Sequence, residues 1–148
     1  MERETGIAAL IGHGSPCILL RADMDALPVK EDTDLEYRFP GECGHMCGHD
    51  GHMAMLLGAA RILKSMEPEL KGTVKLMFQP GKETGAGARV MIGDGVLENP
   101  HVDAAFAMHL QPTAEAGTVG WAPGVNSASL DSFILKIHGK GGHSSQPQ

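Results

Sequence analysis

The 148-residue chain is 42% hydrophobic and 20% charged, with a formal net charge of −6; this is the make-up of a soluble globular protein with room for one real core. The negative charge and the lack of any basic cluster exclude nucleic acid and anionic membrane as main partners. No apolar run approaches the ~20 residues that cross a bilayer. The start, MERETGIAAL, carries no signal-peptide pattern, and three cysteines are too few and too odd in number for a disulfide framework, so a cytoplasmic, reducing location is expected.

In chain order, Ile7–Ile11 and Cys17–Ala22 are predicted strands joined through the turn-rich GHGSP. Residues 28–49 are irregular and long for a structureless loop, which points to function. From Asp50, a reasonable N-cap, Met53, Leu56, Leu57, Ala60 and Leu63 recur on one helical face, and Pro68 marks the far end. Val74, Leu76 and Phe78 alternate with Lys75 and Met77 in a strand closed by Pro80. GAGARVMIGDG predicts a short helix, and Val102–Leu110 a further strand. Gly117–Trp121 and Asp131–His138 are the last predicted strands, the second presenting Phe133, Leu135 and Ile137 on one face. The alternation of strand and helix over residues 17–110 indicates an α/β fold with a mostly parallel sheet flanked by helices.

The stretch HMCGHDGH, residues 45–52, places three histidines, a cysteine and an aspartate in eight positions. Cys47 and His49 offer a thiolate and an imidazole, both good ligands for zinc-like ions. In open α/β sheets, ligands bind outside the carboxyl ends of the strands. Asp23 and Asp25 follow one predicted strand, Glu83 follows the next, His109 ends a third, and Cys47 and His49 precede a helix on the same edge. Each has a bland reading alone: Cys47 as a small buried residue, His49 at a helix start, Asp23 and Asp25 as turn acids, Glu83 as a surface acid, His109 as a strand-end histidine. Gathered on one rim, they point to a metal site. His13, His101 and His138 are read as structural, His52 is ambiguous, and Cys43 is as easily a bystander as a ligand.

RADMDALPVKE, CGHDGHMAMLLGAARIL, GTVKLMFQP, VDAAFAMHL and GKGGHSSQP occur in that order, and with them the chain resembles the metal-dependent amidohydrolases of the aminoacylase–carboxypeptidase peptidase family. The branch it most resembles is that of the N-acyl-amino-acid and auxin-conjugate amidohydrolases. The resemblance implies a divalent-metal site of two ions, manganese or zinc, that cleaves the amide of a small N-acyl amino acid or short peptide conjugate. It implies Cys47, His49, Glu83 and His109 as metal ligands and Asp25 as an acid orienting them. His143 matches a histidine that reaches a neighbouring active site, so a homodimer is implied for a complete chain.

The family pattern after the third strand is FQPAEE, in which the first acid is the general base and the second a ligand. Here the chain reads Phe78–Gln79–Pro80–Gly81–Lys82–Glu83, so Lys82 stands in the catalytic position of the base and impaired activity is expected. The chain is also far shorter than the family. Residues 1–126 are expected to form a partial zinc-peptidase-like catalytic domain, and 127–148 the first strand of an α+β lid or dimerisation domain. Two competing readings are a non-catalytic truncated relative and a small structural-zinc module using Cys43, Cys47, His49 and one more ligand. A closed four-ligand site separates the last from the others.

Overall fold

The computed structural model describes residues 6–125, 127–129 and 131–146. Internal packing divides the chain into residues 1–112 and residues 113–148. The first unit contains strands β1 (Ile7–Gly12) and β2 (Cys17–Asp23), helix α1 (His49–Ser65), strand β3 (Thr73–Gln79), helix α2 (Gly87–Gly93) and strand β4 (Ala104–Ala107). The four strands form one sheet in the order β1-β3-β2-β4. β2 runs parallel to both β3 and β4, and β1 pairs antiparallel with β3. The mostly parallel α/β sheet is therefore present, with an antiparallel strand at one edge.

The chain moves from β2 across α1 to β3, then back past β2 across α2 to β4. That reversal puts the two helices against different core clusters. Ile11, Ala22, Leu56, Leu76 and Phe78 pack with Met53, Ala60 and Leu63 of α1, whereas Leu19 and Met77 pack with Met91 and Val96 at α2. β3 is covered on both faces, so Lys75 and Met77, the polar-side positions of a simple alternation, are buried too. Parallel strands sandwiched between helices read as continuous buried runs for this reason.

α1 starts one residue before Asp50, and its N-cap is Gly48 in the left-handed conformation. Asp50 sits instead in the first turn, where the helix dipole favours an acid. Leu57 is exposed, and the buried face runs through His49, His52 and Leu56. The helix is thus turned so that two histidines join Leu56 on its covered side, while Leu57 faces outward.

β4 is shorter than the predicted Val102–Leu110, because only Ala104–Ala107 pairs with β2. In the second unit the segments expected as strands, Gly117–Trp121 and Asp131–His138, form no strand among the described residues. Phe133 and Ile137 are 90% and 86% exposed. An alternating apolar pattern becomes a strand only when a neighbour accepts its backbone hydrogen bonds, and the described residues of this unit make only an isolated bridge, His143 to Gln146.

Lys75 ties the loop after α2 to the sheet. Its buried ammonium donates to the carbonyl oxygens of Val96, Glu98 and Pro100 at 2.9, 2.8 and 2.8 Å. Lys75→Met keeps the stem and leaves three carbonyls without that donor. At roughly 1–3 kcal/mol per buried group left unsatisfied, the substitution is expected to lower the unfolding free energy by several kcal/mol, read as a lower urea midpoint. An unchanged midpoint contradicts the assignment.

Candidate metal centre

The carboxyl ends of β2, β3 and β4 and the start of α1 share one rim of the sheet. The 25-residue connection from β2 to α1 returns to that rim because Leu27 and Gly44 exchange backbone hydrogen bonds, each 3.0 Å long. Gly48, at φ 77°, then makes the left-handed turn that sets Cys47 and His49 on either side of it; a side chain there carries a steric cost that glycine does not.

His49 is 1% exposed. Its Nδ1 lies 2.7 Å from the Asp25 carbonyl oxygen; a carbonyl only accepts, so Nδ1 carries a proton, and in the neutral ring Nε2 is the lone pair. That Nε2 is buried and has no hydrogen-bond partner among the described residues. It faces Asp23 Oδ2 and Glu83 Oε1, each 3.5 Å away. His109 repeats the device: Nδ1 lies 2.7 Å from the Leu110 carbonyl oxygen, and Nε2 lies 3.5 Å from Cys47 Sγ. The donor atoms of Cys47, His49 and His109 all fall within 4.8 Å of one another, as do those of Asp23, His49 and His52. Anchoring one ring nitrogen on a carbonyl while the other points at a shared space is how proteins orient imidazole ligands.

Glu83 enters through a loop with little freedom. Gly87 N–H donates to the Gly81 carbonyl at 3.1 Å, and a β-carbon on Gly87 would fall 1.6 Å from the Pro80 oxygen, so only glycine fits. Glu83 N–H donates to Asp25 Oδ2 at 2.8 Å. Asp25 therefore holds both His49 and the Glu83 loop. Burial raises the Asp25 carboxyl, but the N–H groups of Glu83 and Lys82 outweigh it and hold it below the usual carboxylate range.

Asp23 is 1% exposed at the end of β2. Its Oδ1 lies 2.6 Å from His52 Nδ1, and Arg21 approaches Oδ2 at 3.0 Å. Burial pushes this carboxyl up; the His52 hydrogen bond and the charges of Arg21 and His49 outweigh burial and keep it low. Lys82 Nζ stands 3.7 Å from Cys47 Sγ and 3.4 Å from Glu83 Oε1. Burial pulls its pKa down, but the Cys47 sulfur and the Glu83 and Asp23 carboxylates raise it above the ordinary lysine value. At neutral pH, Lys82 is an ammonium.

The structure thus brings Cys47, His49 and His109 into one donor cluster, while Glu83, in neither cluster, approaches His49 Nε2 at 3.5 Å, with Asp25 behind His49 and Lys82 between Cys47 and Glu83. His143 belongs to the second unit, exposed, with Nδ1 2.8 Å from Ser145 Oγ. Cys43 is exposed and belongs to neither donor cluster. The sequence reading undervalued Asp23 and His52. The signal was there: His52 lies three residues from His49 on the same helical face, and Asp23 ends the strand two residues before Asp25.

The donor set suits a divalent metal, since two imidazoles, a thiolate and a carboxylate are zinc-type ligands, and the buried Nε2 of His49, with no hydrogen-bond partner among the described residues, is an atom a cation would satisfy. The low pKa of Asp23 gives a signed expectation. Its ionised form contributes stability above the unfolded value of 3.8, lost as pH falls through the lower folded value. Asp23→Asn keeps an acceptor for His52, so the slope of unfolding free energy against pH below 3.8 is expected to flatten in metal-free protein. An identical slope in both proteins contradicts the burial of an ionised Asp23.

Residues 19–145 match the model of peptidase family M20/M25/M40. The chain is 46% identical over 147 residues to IAA-amino acid hydrolase ILR1-like 5 of Arabidopsis thaliana, covering 97% of this chain and 33% of that protein. It is also 46% identical to N-acetyl-L-cysteine deacetylase of Bacillus subtilis, covering 97% and 35%. Among solved structures, the YXEP protein of Bacillus subtilis, described as a dinuclear metal binding peptidase, superposes with a TM-score of 0.69 at 45% identity, over 74% of this chain and 31% of that one. The chain spans about a third of the length of these relatives. With most of its residues matching the family model, the chain belongs to peptidase family M20/M25/M40.

Proposed function

We propose that this chain carries the metal-binding face of an amidohydrolase that cleaves N-acyl amino acids or small amino-acid conjugates. In this reading Cys47, His49, Glu83 and His109 hold divalent metal, two ions of manganese or zinc in a complete site. One observation carries it: a buried imidazole nitrogen, His49 Nε2, faces two carboxylates at 3.5 Å and has no hydrogen-bond partner among the described residues. Relatives named for hydrolysis of an amino-acid conjugate and for deacetylation of an N-acetyl amino acid support the substrate class. The proposal also takes residues 1–126 as a partial catalytic domain and 127–148 as the start of a lid, with His143 serving a partner's site in a cytoplasmic homodimer. No described helix is long and apolar enough to cross a membrane.

A divalent ion bound here supplies Lewis acidity toward an amide carbonyl and lowers the pKa of a water, which an unactivated amide requires. The chain's own residues hold that charge. Asp25 and the backbone carbonyls fix the imidazoles, and Asp25 also fixes the Glu83 loop. Proton transfer from water to the leaving nitrogen is the step these residues serve least well. A general base must be unprotonated at working pH, and Lys82, held as an ammonium between Cys47 and Glu83, is a donor.

That placement favours a second reading, in which the chain binds metal weakly and does not hydrolyse. The Lys82 charge already occupies the position beside two ligands, so it competes with a metal for them. Lys82→Glu is expected to tighten zinc binding, measured by competition with a chelating dye, by roughly tenfold or more on Coulomb grounds; adding Glu83→Gln is expected to reverse the gain. Zinc affinity that ignores Lys82 argues against this geometry. In a chain extended to its relatives' full length, Lys82→Glu is expected to raise hydrolysis of N-acyl amino acids, with added manganese or zinc, by about 10²–10⁴-fold. Equal rates with lysine and glutamate rule out position 82 as that of the base.

A further inference from the structure

The HMCGHDGH stretch contains two histidines that the proposed site does not use, His45 and His52. His52 is buried, three residues along α1 from His49. Its atoms lie close enough to Asp23 and His49 to form a donor cluster, so it is a candidate ligand by proximity. Its hydrogen bonds decide otherwise. His52 Nε2 accepts the Leu110 backbone N–H at 2.9 Å, and Nδ1 stands 2.6 Å from Asp23 Oδ1. A ring nitrogen that accepts an N–H is unprotonated, so the proton sits on Nδ1 and is donated to the carboxylate. Both ring nitrogens are engaged, and no lone pair is left for a metal.

What the ring does instead is visible in what it touches. Leu110 directly follows His109, and β4 ends at Ala107, so the sheet ladder does not hold these two residues. The hydrogen bond from Leu110 to His52 takes over where the ladder stops. The His52 ring also meets the His109 ring edge-on, with centroids 4.6 Å apart. His109 in turn directs Nδ1 to the Leu110 carbonyl, which leaves Nε2 toward Cys47. A continuous line therefore runs from the buried Asp23 through His52 to the Leu110 peptide and on to the His109 ring.

We propose that His52 is a positioning residue: oriented by Asp23 and held in its Nδ1–H tautomer, it fixes the His109–Leu110 segment so that His109 Nε2 faces Cys47 and His49. The proposal rests on the metal reading above for its consequence, but its geometry stands without a metal. Nitrogen-detected NMR of the metal-free protein tests the geometry. His52 and His109 are each expected as a single Nδ1–H tautomer, and in His52→Ala the His109 ring is expected to average between tautomers. A wild-type His52 protonated on Nε2 overturns the proposal, and this measurement needs no variant to fold.

Zinc titration tests the consequence. His52→Ala is expected to weaken zinc binding by about 10–100-fold, the usual effect of losing a residue that orients a ligand. In a His109→Ala background the same substitution is expected to change affinity very little, because its effect passes through His109. An equal loss in both backgrounds overturns the positioning role and leaves His52 as a general structural residue. Wild-type protein with no zinc affinity overturns the metal reading instead, and the tautomer measurement then decides the His52 geometry by itself.

Discussion

A carboxylate buried at the end of the central strand organises this protein. Asp23 closes β2, paired with Gln79 at the end of β3, and its side chain is shut away from water. An ionised carboxylate in that position is costly unless cations and donors surround it. Arg21 approaches one oxygen and His52 the other, with His49 nearby. Arg21 also donates through Nε to Gln79 Oε1 at 2.8 Å, which ties the same charge to the end of β3. The residues that compensate Asp23 are thereby the residues that fix the start of α1 and the ends of β2, β3 and β4.

The topology makes this economical. Two crossovers in opposite directions from neighbouring strands bring three carboxyl-terminal strand ends and one helix N-terminus to a single rim. The proposed ligands then need only short excursions: two residues past β4 for His109, four past β3 for Glu83, and the first turn of α1 for His49. The rim also collects negative charge from Asp23, Asp25 and Glu83, and a cation belongs there. In this chain Lys82 provides one, and its position between Cys47 and Glu83 sets metal affinity against proton acceptance at the same point.

Much of this was legible in the sequence because the signals were local. A continuous apolar run marked β2, an alternating one marked β3, a 3.6-residue period marked α1, and the expected sorting of Cys47, His49, Glu83 and His109 to one rim followed from the strand-end rule. The orientation of α1 was less legible. Leu57 fits the apolar stripe as well as its neighbours do, and only the Asp23 carboxylate, which draws His52 inward, turns it outward. For the same reason His52 stayed ambiguous: its role depends on Asp23 and Leu110, 29 and 58 residues away. Asp131–His138 shows the opposite failure. Its period of two is clear, yet alternation specifies a face and not a partner, and the described residues leave that face exposed.

The central claim is that Cys47, His49, Glu83 and His109 form one metal centre, and X-ray absorption at the zinc edge tests it most directly. Zinc-loaded protein is expected to show a single sulfur neighbour at about 2.3 Å with imidazole nitrogens at about 2.0–2.1 Å, and the sulfur is expected to vanish in Cys47→Ser. A spectrum with two sulfur neighbours, bringing Cys43 into the site, or with none in the wild-type protein, contradicts the account.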